Sequence, residues 1–241
     1  MRRIQILISL CALVVLGSSV SGCNSMRRRV ARKMGVRMKR HTIKTADLGA
    51  PYRALTNTHN DFFNPNRRVT QKTGRRAIVV SYRTVGLNSL DVTLRDANLT
   101  FAQYRFADAI VDQIHKDLKS IFSLDFLRTN EREIERAVRS RSIDNVRMVR
   151  RLRRSKQTLA FVIRGMRDIA TKVNRLKESV QALKTTGVSE LRRNPRKAIL
   201  APELLKEAGT ALKRLARVAQ GSPALLTKLA RLHKVFTFIS F

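Results

Sequence analysis

A mainly α fold is predicted by this sequence: an elongated helical hairpin or coiled coil with a smaller C-terminal helical region and a short β segment near residues 77–84. Three observations lead there. First, apolar residues fall at Leu159, Val162, Met166, Ile169, Val173, Leu176, Val180 and Leu183. Their steps alternate between three and four residues, which is the a/d seam of a coiled coil. Second, the same register runs back through Leu152 and Met148 to Val138 and Ile134, crossing polar positions at Ser155, Asn145 and Arg141. Third, Leu127 to Asn130 is a short link between this stretch and an earlier helical one, as an antiparallel pair requires. A narrow seam buries little alone, so it needs another helix, either from this chain or from a second copy.

Charge restricts the partners. Fifty Lys and Arg against 17 Asp and Glu give +33 over 241 residues, which favours nucleic acid, acidic lipid or acidic polymer as a partner. Aromatic residues make up 5% and Trp is absent, which argues against a large compact core. The only cysteines are Cys11 and Cys23, and no disulfide framework or Cys-based metal site exists beyond them.

The chain opens with Met1-Arg2-Arg3, an apolar run from Ile4 to Val20, and Val20-Ser21-Gly22-Cys23. A charged start, a short apolar stretch and small residues describe a secretory signal peptide. Val20-Ser21-Gly22-Cys23 resembles the lipobox of bacterial lipoproteins. That resemblance covers residues 1–23 and implies cleavage before Cys23, with diacylglyceryl attachment to its sulfur. Asn24 after the Cys implies delivery to the outer membrane, facing the periplasm. Against export stand Arg27, Arg28, Arg29, Arg32, Lys33, Arg37, Lys39 and Arg40, with no acid among them. The alternatives are a reverse anchor with a cytoplasmic body, or translation from Met26. The same cations would hold an anchored tether to an anionic bilayer, at about 1 kcal/mol each.

Residues 23–75 read as a lipid-anchored basic tether, mostly irregular, since His41 to Gly74 shows no sustained period. Ala77 to Thr84 has strand composition, with Ile78, Val80 and Tyr82 on one side. Leu90, Val92 and Leu94 suit either a hairpin partner or a helix capped at Asn88 or Ser89. The helix is preferred, because the spacing continues through Phe101, Phe106, Ile110, Ile114, Leu118 and Ile121. Tyr82, Gly86, Ser89-Leu90-Asp91-Val92 and Ala97 resemble the entry to a long helix in TolC-type outer-membrane efflux proteins. The likeness covers about 30 residues (near 82–111). It departs at Ala97-Asn98, where the family has Ala-Gln, and the chain is too short for the family's duplicated hairpins. It implies helical-hairpin physics only.

Asn130, with Glu133 three residues on, predicts a helix start, and Gly187 predicts its end. One helix of ~55 residues would run to Thr185 and complete a hairpin over 76–186. Residues 187–241 read as shorter helices. One starts near Pro202 and displays Leu205, Ala208, Leu212, Leu215 and Ala219; another starts at Ser222-Pro223. The tail Val235–Phe241 reads as an apolar plug, or as the closing strand of a barrel.

Arg147, Arg150, Arg151, Arg153, Arg154 and Lys156 carry no acid between them and form a linear site for anionic partners. No groove-reading motif or aromatic stacking platform marks them for nucleic acid. Asp91, Asp96, Asp108, Asp112 and Asp117 make the preceding helix an acidic candidate partner for this stretch. Asp108, Asp112 and His115 share a helical face without completing a metal set. No phosphate-binding glycine loop or nucleophile–base pair is present, so catalysis, cofactor and metal are not expected. The expectation is a lipid-anchored envelope structural or adaptor protein touching anionic membrane, cell-wall material or a partner coiled coil. The alternative is a cytoplasmic nucleic-acid-binding protein translated from near Met26.

Overall fold

The computed structural model describes residues 37–44, 79–141, 143, 145–194 and 196–239. The signal and lipobox positions, including Cys23, and the tether cations Arg27, Arg28, Arg29, Arg32 and Lys33 lie outside the described residues.

Three long helices pack on one another. α1 spans Asn88–Phe122, α3 spans Val146–Ala182 and α5 spans Ala201–Phe238, with short α2 (Glu131–Arg139) and α4 (Val188–Arg193) between them. α1 and α5 run the same way and α3 runs against both. Arg151 near the start of α3 reaches Asp117 near the end of α1, while Gly187 beyond α3 meets Leu90 and Leu204 at the starts of α1 and α5. A two-stranded antiparallel sheet sits at that second end: β1 (Lys39–Ile43) pairs with β2 (Val80–Thr84), His41 opposite Tyr82. β2 falls within the strand expected over 77–84. Its partner comes from the stretch read as tether, and Leu90 and Leu94 belong to α1.

The connection into α1 follows from two residues. Gly86 has φ +76°, a left-handed conformation that glycine adopts without strain. The Asp91 carboxylate accepts from the Val85 and Gly86 amides at 2.8 and 2.9 Å and so holds the turn before the helix, whose N-cap is Leu87, without a side-chain cap, rather than the expected Asn88 or Ser89. Asn130 does accept from the Glu133 amide, at 2.9 Å.

Two expected boundaries move. The single helix from Asn130 to Thr185 is divided, because Asn145 accepts from the Arg147 and Met148 amides at 2.9 and 3.4 Å and starts a new helix. A residue read as a polar seam position is an N-cap. At the other end Gly187 does not stop α3. A π-helical turn, Leu183–Gly187, carries the chain into α4. Gly187 is buried there, and a Cβ would stand 3.3 Å from methyls of both Leu90 and Leu204. It is a point of close helix approach.

The expected short C-terminal helices are one helix of 38 residues. Ser222, read as the start of a separate helix, is buried and donates to the Val218 carbonyl at 2.6 Å, a bond made from within a helix. Pro223 removes one backbone donor, yet burial continues on both sides at Leu215, Val218, Ser222, Leu225 and Leu229. Packing along the whole face outweighs the cost of one interior proline, ~3 kcal/mol. Within the tail, the helix runs to Phe238, and Phe236 and the extended Ile239 are buried, which agrees with a plug rather than a barrel strand for these described residues.

The seam closes inside the chain. Leu159, Val162, Met166, Ile169, Val173, Val180 and Leu183 are buried, and Leu176 is partly buried against the same core. α1 is the most enclosed helix, with Leu94, Ala97, Phe106, Ile114 and Leu118 between α3 and α5. Arg214 ties the sheet to this body. It donates to the Ser81 carbonyl at 3.0 Å and to Asn98 Oδ1, and lies over the Phe101 ring at 5.7 Å. Burial lowers its pKa from the ordinary arginine value, and the guanidinium remains charged.

Candidate functional site: a cationic helix face and its groove

Charge is distributed unevenly over the three long helices. α3 carries eleven Arg and Lys against Asp168 and Glu178. α1 carries four against five Asp. Because α3 packs by one stripe, these cations are left on its outward side. Arg147, Arg150, Arg151, Arg153, Arg154 and Lys156 are all exposed.

They are not equivalent. Arg151 reaches back to Asp117, with Nη2 at 2.6 Å from Oδ1 and Nε at 3.2 Å from Oδ2. Asp117 is 7% exposed, and Gln113 also donates to it at 2.6 Å. A buried carboxylate needs such a partner, so Arg151 holds the α1–α3 contact rather than offering itself to a ligand. The acidic helix is thus a partner of the Arg-rich one, through the Arg151–Asp117 pair. Among the described residues Arg147, Arg150 and Arg154 form no ion pair.

Much of the acidic face of α1 is engaged internally. His115 and Lys119 face Asp125 at 3.1 and 3.6 Å, and Asp112 faces Lys228 at 3.7 Å. Asp108 is held above the usual carboxylate range by desolvation and then by Asp112. Asp108, Asp112 and His115 therefore do not converge on one point. Among the described residues no group of three His, Cys, Asp or Glu is placed to hold a metal. No helix among them is long and apolar enough to cross a membrane.

Surface grooves among the described residues accompany the cations. One, of about 320 Å³, lies where the sheet meets the start of α5, with Arg40, Arg83 and Lys206 facing Glu203 and Glu207. Its charges are mixed, and Glu207 already accepts from the Arg83 amide at 3.3 Å. Another, of about 360 Å³, runs between the middles of α1 and α3, where Thr100 and Gln103 face Phe161, Arg164, Gly165, Asp168, Ile169 and Lys172. Sequence reasoning missed this groove. Its one signal is Gly165, a glycine between Phe161 and Ile169 on a seam-bearing helix. No protein-family model, curated protein or solved structure matches the chain.

Proposed function

We propose that this chain is a lipid-anchored cell-envelope protein whose cationic helical bundle acts as a structural or adaptor element against anionic membrane or cell-wall material. The observation that carries the reading is Val20-Ser21-Gly22-Cys23 directly after an apolar run that opens with Arg2 and Arg3. The structure adds support. The seam is used up inside the chain, so the face of α3 bearing Arg147, Arg150 and Arg154 is the surface left for a partner. Intact-mass analysis of the native N-terminus, with Cys23→Ala as control, tests it. A diacylglycerol-modified Cys23 is expected. An unlipidated chain starting at Met26 would instead favour the cytoplasmic, nucleic-acid-binding reading, to which the acid-free run from Arg27 to Arg40 points.

The cationic face has its own test. Changing Arg147, Arg150 and Arg154 to Gln, and sparing Arg151 for its bond to Asp117, should weaken adsorption to anionic vesicles and flatten its salt dependence. Helix content should hold, because Gln is a good helix former. On duplex DNA each lost phosphate contact would remove about 0.9 from the log–log salt slope. Equal binding to vesicles by wild type and variant would show that these arginines have no anionic partner there.

A further inference from the structure

The groove between α1 and α3 combines an apolar floor with cations that form no ion pair among the described residues. We propose that it binds an anionic phospholipid, the headgroup phosphodiester lying between Arg164 and Lys172 and the first acyl methylenes over Phe161 and Ile169. The proposal rests on the membrane-facing reading above and gives that surface a ligand.

Arg164 and Lys172 stand two turns apart on α3, about 12 Å along its axis. Two long flexible side chains at that spacing can close on one phosphate from opposite sides, Arg by paired donors and Lys as a point charge. Neither forms an ion pair among the described residues. Asp168 lies midway, four residues from each, and also forms none. These three charges sum to +1, which matches the single negative charge of a phosphodiester better than the ~1.5–2 charges of a phosphate monoester. From α1, the Gln103 amide is half-buried and makes no hydrogen bond among the described residues, so its donors are available. Thr100 is not an equal candidate, since its hydroxyl donates to the Asp96 carbonyl at 2.9 Å.

The floor decides between anions. Half-buried Phe161 supplies most of the apolar floor, Ile169 shows only an edge at 3% exposure, and Gly165 between them contributes no side chain. A duplex presents phosphates without apolar surface beside them and would leave this floor unused. A phospholipid covers it. About 360 Å³ accommodates a phosphate and a few methylenes but not two whole acyl chains, which would stay in the bilayer with the bundle lying side-on.

The test uses the full-length chain with monomeric dihexanoylphosphatidylglycerol, glycerol 3-phosphate and inorganic phosphate, each titrated calorimetrically. The short-chain lipid is expected to bind at least tenfold more tightly than either phosphate. Arg164→Gln with Lys172→Gln should weaken lipid binding tenfold or more. Asp168→Asn should strengthen it two- to fivefold by removing the opposing charge. Gly165→Leu, which fills the groove and favours helix, should abolish it with circular dichroism unchanged. Equal affinity for lipid and inorganic phosphate would overturn the proposal, as would wild-type lipid binding by the folded Gly165→Leu or Arg164→Gln/Lys172→Gln chain. Arg147, Arg150 and Arg154 changed to Gln should leave short-chain lipid binding intact while vesicle adsorption falls. Failure of the groove and failure of the wider cationic face are therefore separate results.

Discussion

Replacing Ile169 and Val173 together with Asp is expected to unfold the chain at neutral pH. Both side chains sit on the α3 seam, at 3% and 4% exposure. Each substitution gives up about 1.5–3 kcal/mol of apolar burial. Each also places a carboxylate among aliphatic neighbours, at a further cost of several kcal/mol unless the group takes up a proton. The sum is comparable to the whole stability of an ordinary domain, ~5–15 kcal/mol. Since the seam is covered by α1 and α5 of the same chain, the loss of helical circular dichroism should not depend on protein concentration. Unchanged helicity and unchanged hydrodynamic size would show that this seam is not buried in solution.

Gly221→Ala should be the second most damaging change, at about 2–3 kcal/mol, although alanine ordinarily improves a helix by ~1 kcal/mol. The reason is Tyr104. Its hydroxyl occupies the place that a Cβ on residue 221 would take, and its Cζ lies 2.9 Å from that position. The ring sits half-buried between α1 and α5, and desolvation followed by the nearby Asp108 raises the phenol pKa. To admit a methyl, the ring or the whole of α5 has to move. Gly221→Ala paired with Tyr104→Leu should recover most of the loss in urea unfolding. A Gly221→Ala single variant as stable as wild type would mean that Tyr104 packs elsewhere.

Gly221 also shows where reading the sequence reached its limit. Ser222-Pro223 after a glycine is a helix-start signature, and in isolation it predicts a boundary. The competing signal was present but weak. Leu204, Ala208, Ala211, Leu215, Val218, Ser222, Leu225, Leu229, Leu232 and Phe236 alternate by four and three residues, and every one is buried. Three of those ten are Ala or Ser, which carry little hydrophobic weight. The stripe beginning at Leu205 is the stronger by hydrophobicity, yet Leu205 is 39% exposed. Small residues mark a seam where helices come close, so they matter most where a hydrophobicity pattern counts them least.

The α3 seam was legible for the opposite reason, its positions being mostly Leu, Val, Ile and Met. The break before it was not, because Val138, Arg141, Asn145 and Met148 keep the register across a real interruption. The Arg-rich face could be read from spacing alone. The role of Arg151 could not, since it depends on Asp117, 34 residues earlier. Nor could the groove at Gly165, which exists only where α1 lies alongside.

The pairing of β1 with β2 has a consequence for reach. It fixes Lys39 at one end of the bundle, so the chain from Cys23 to Lys39 sets the longest possible leash between the proposed lipid and the folded body. Drawn out fully, at ~3.3–3.6 Å per residue, that leash spans at most roughly 55 Å. A body confined to a hemisphere of that radius meets the bilayer at an effective concentration on the order of 5 mM. α3 is itself about 55 Å long at ~1.5 Å per residue, so its far end, with Arg147 and Arg150, can lie down beside the anchor rather than stand away from it. Under those conditions even a headgroup Kd of about 5 mM would keep the groove about half occupied. Anchoring would then let the surface hold lipid while exchanging it quickly.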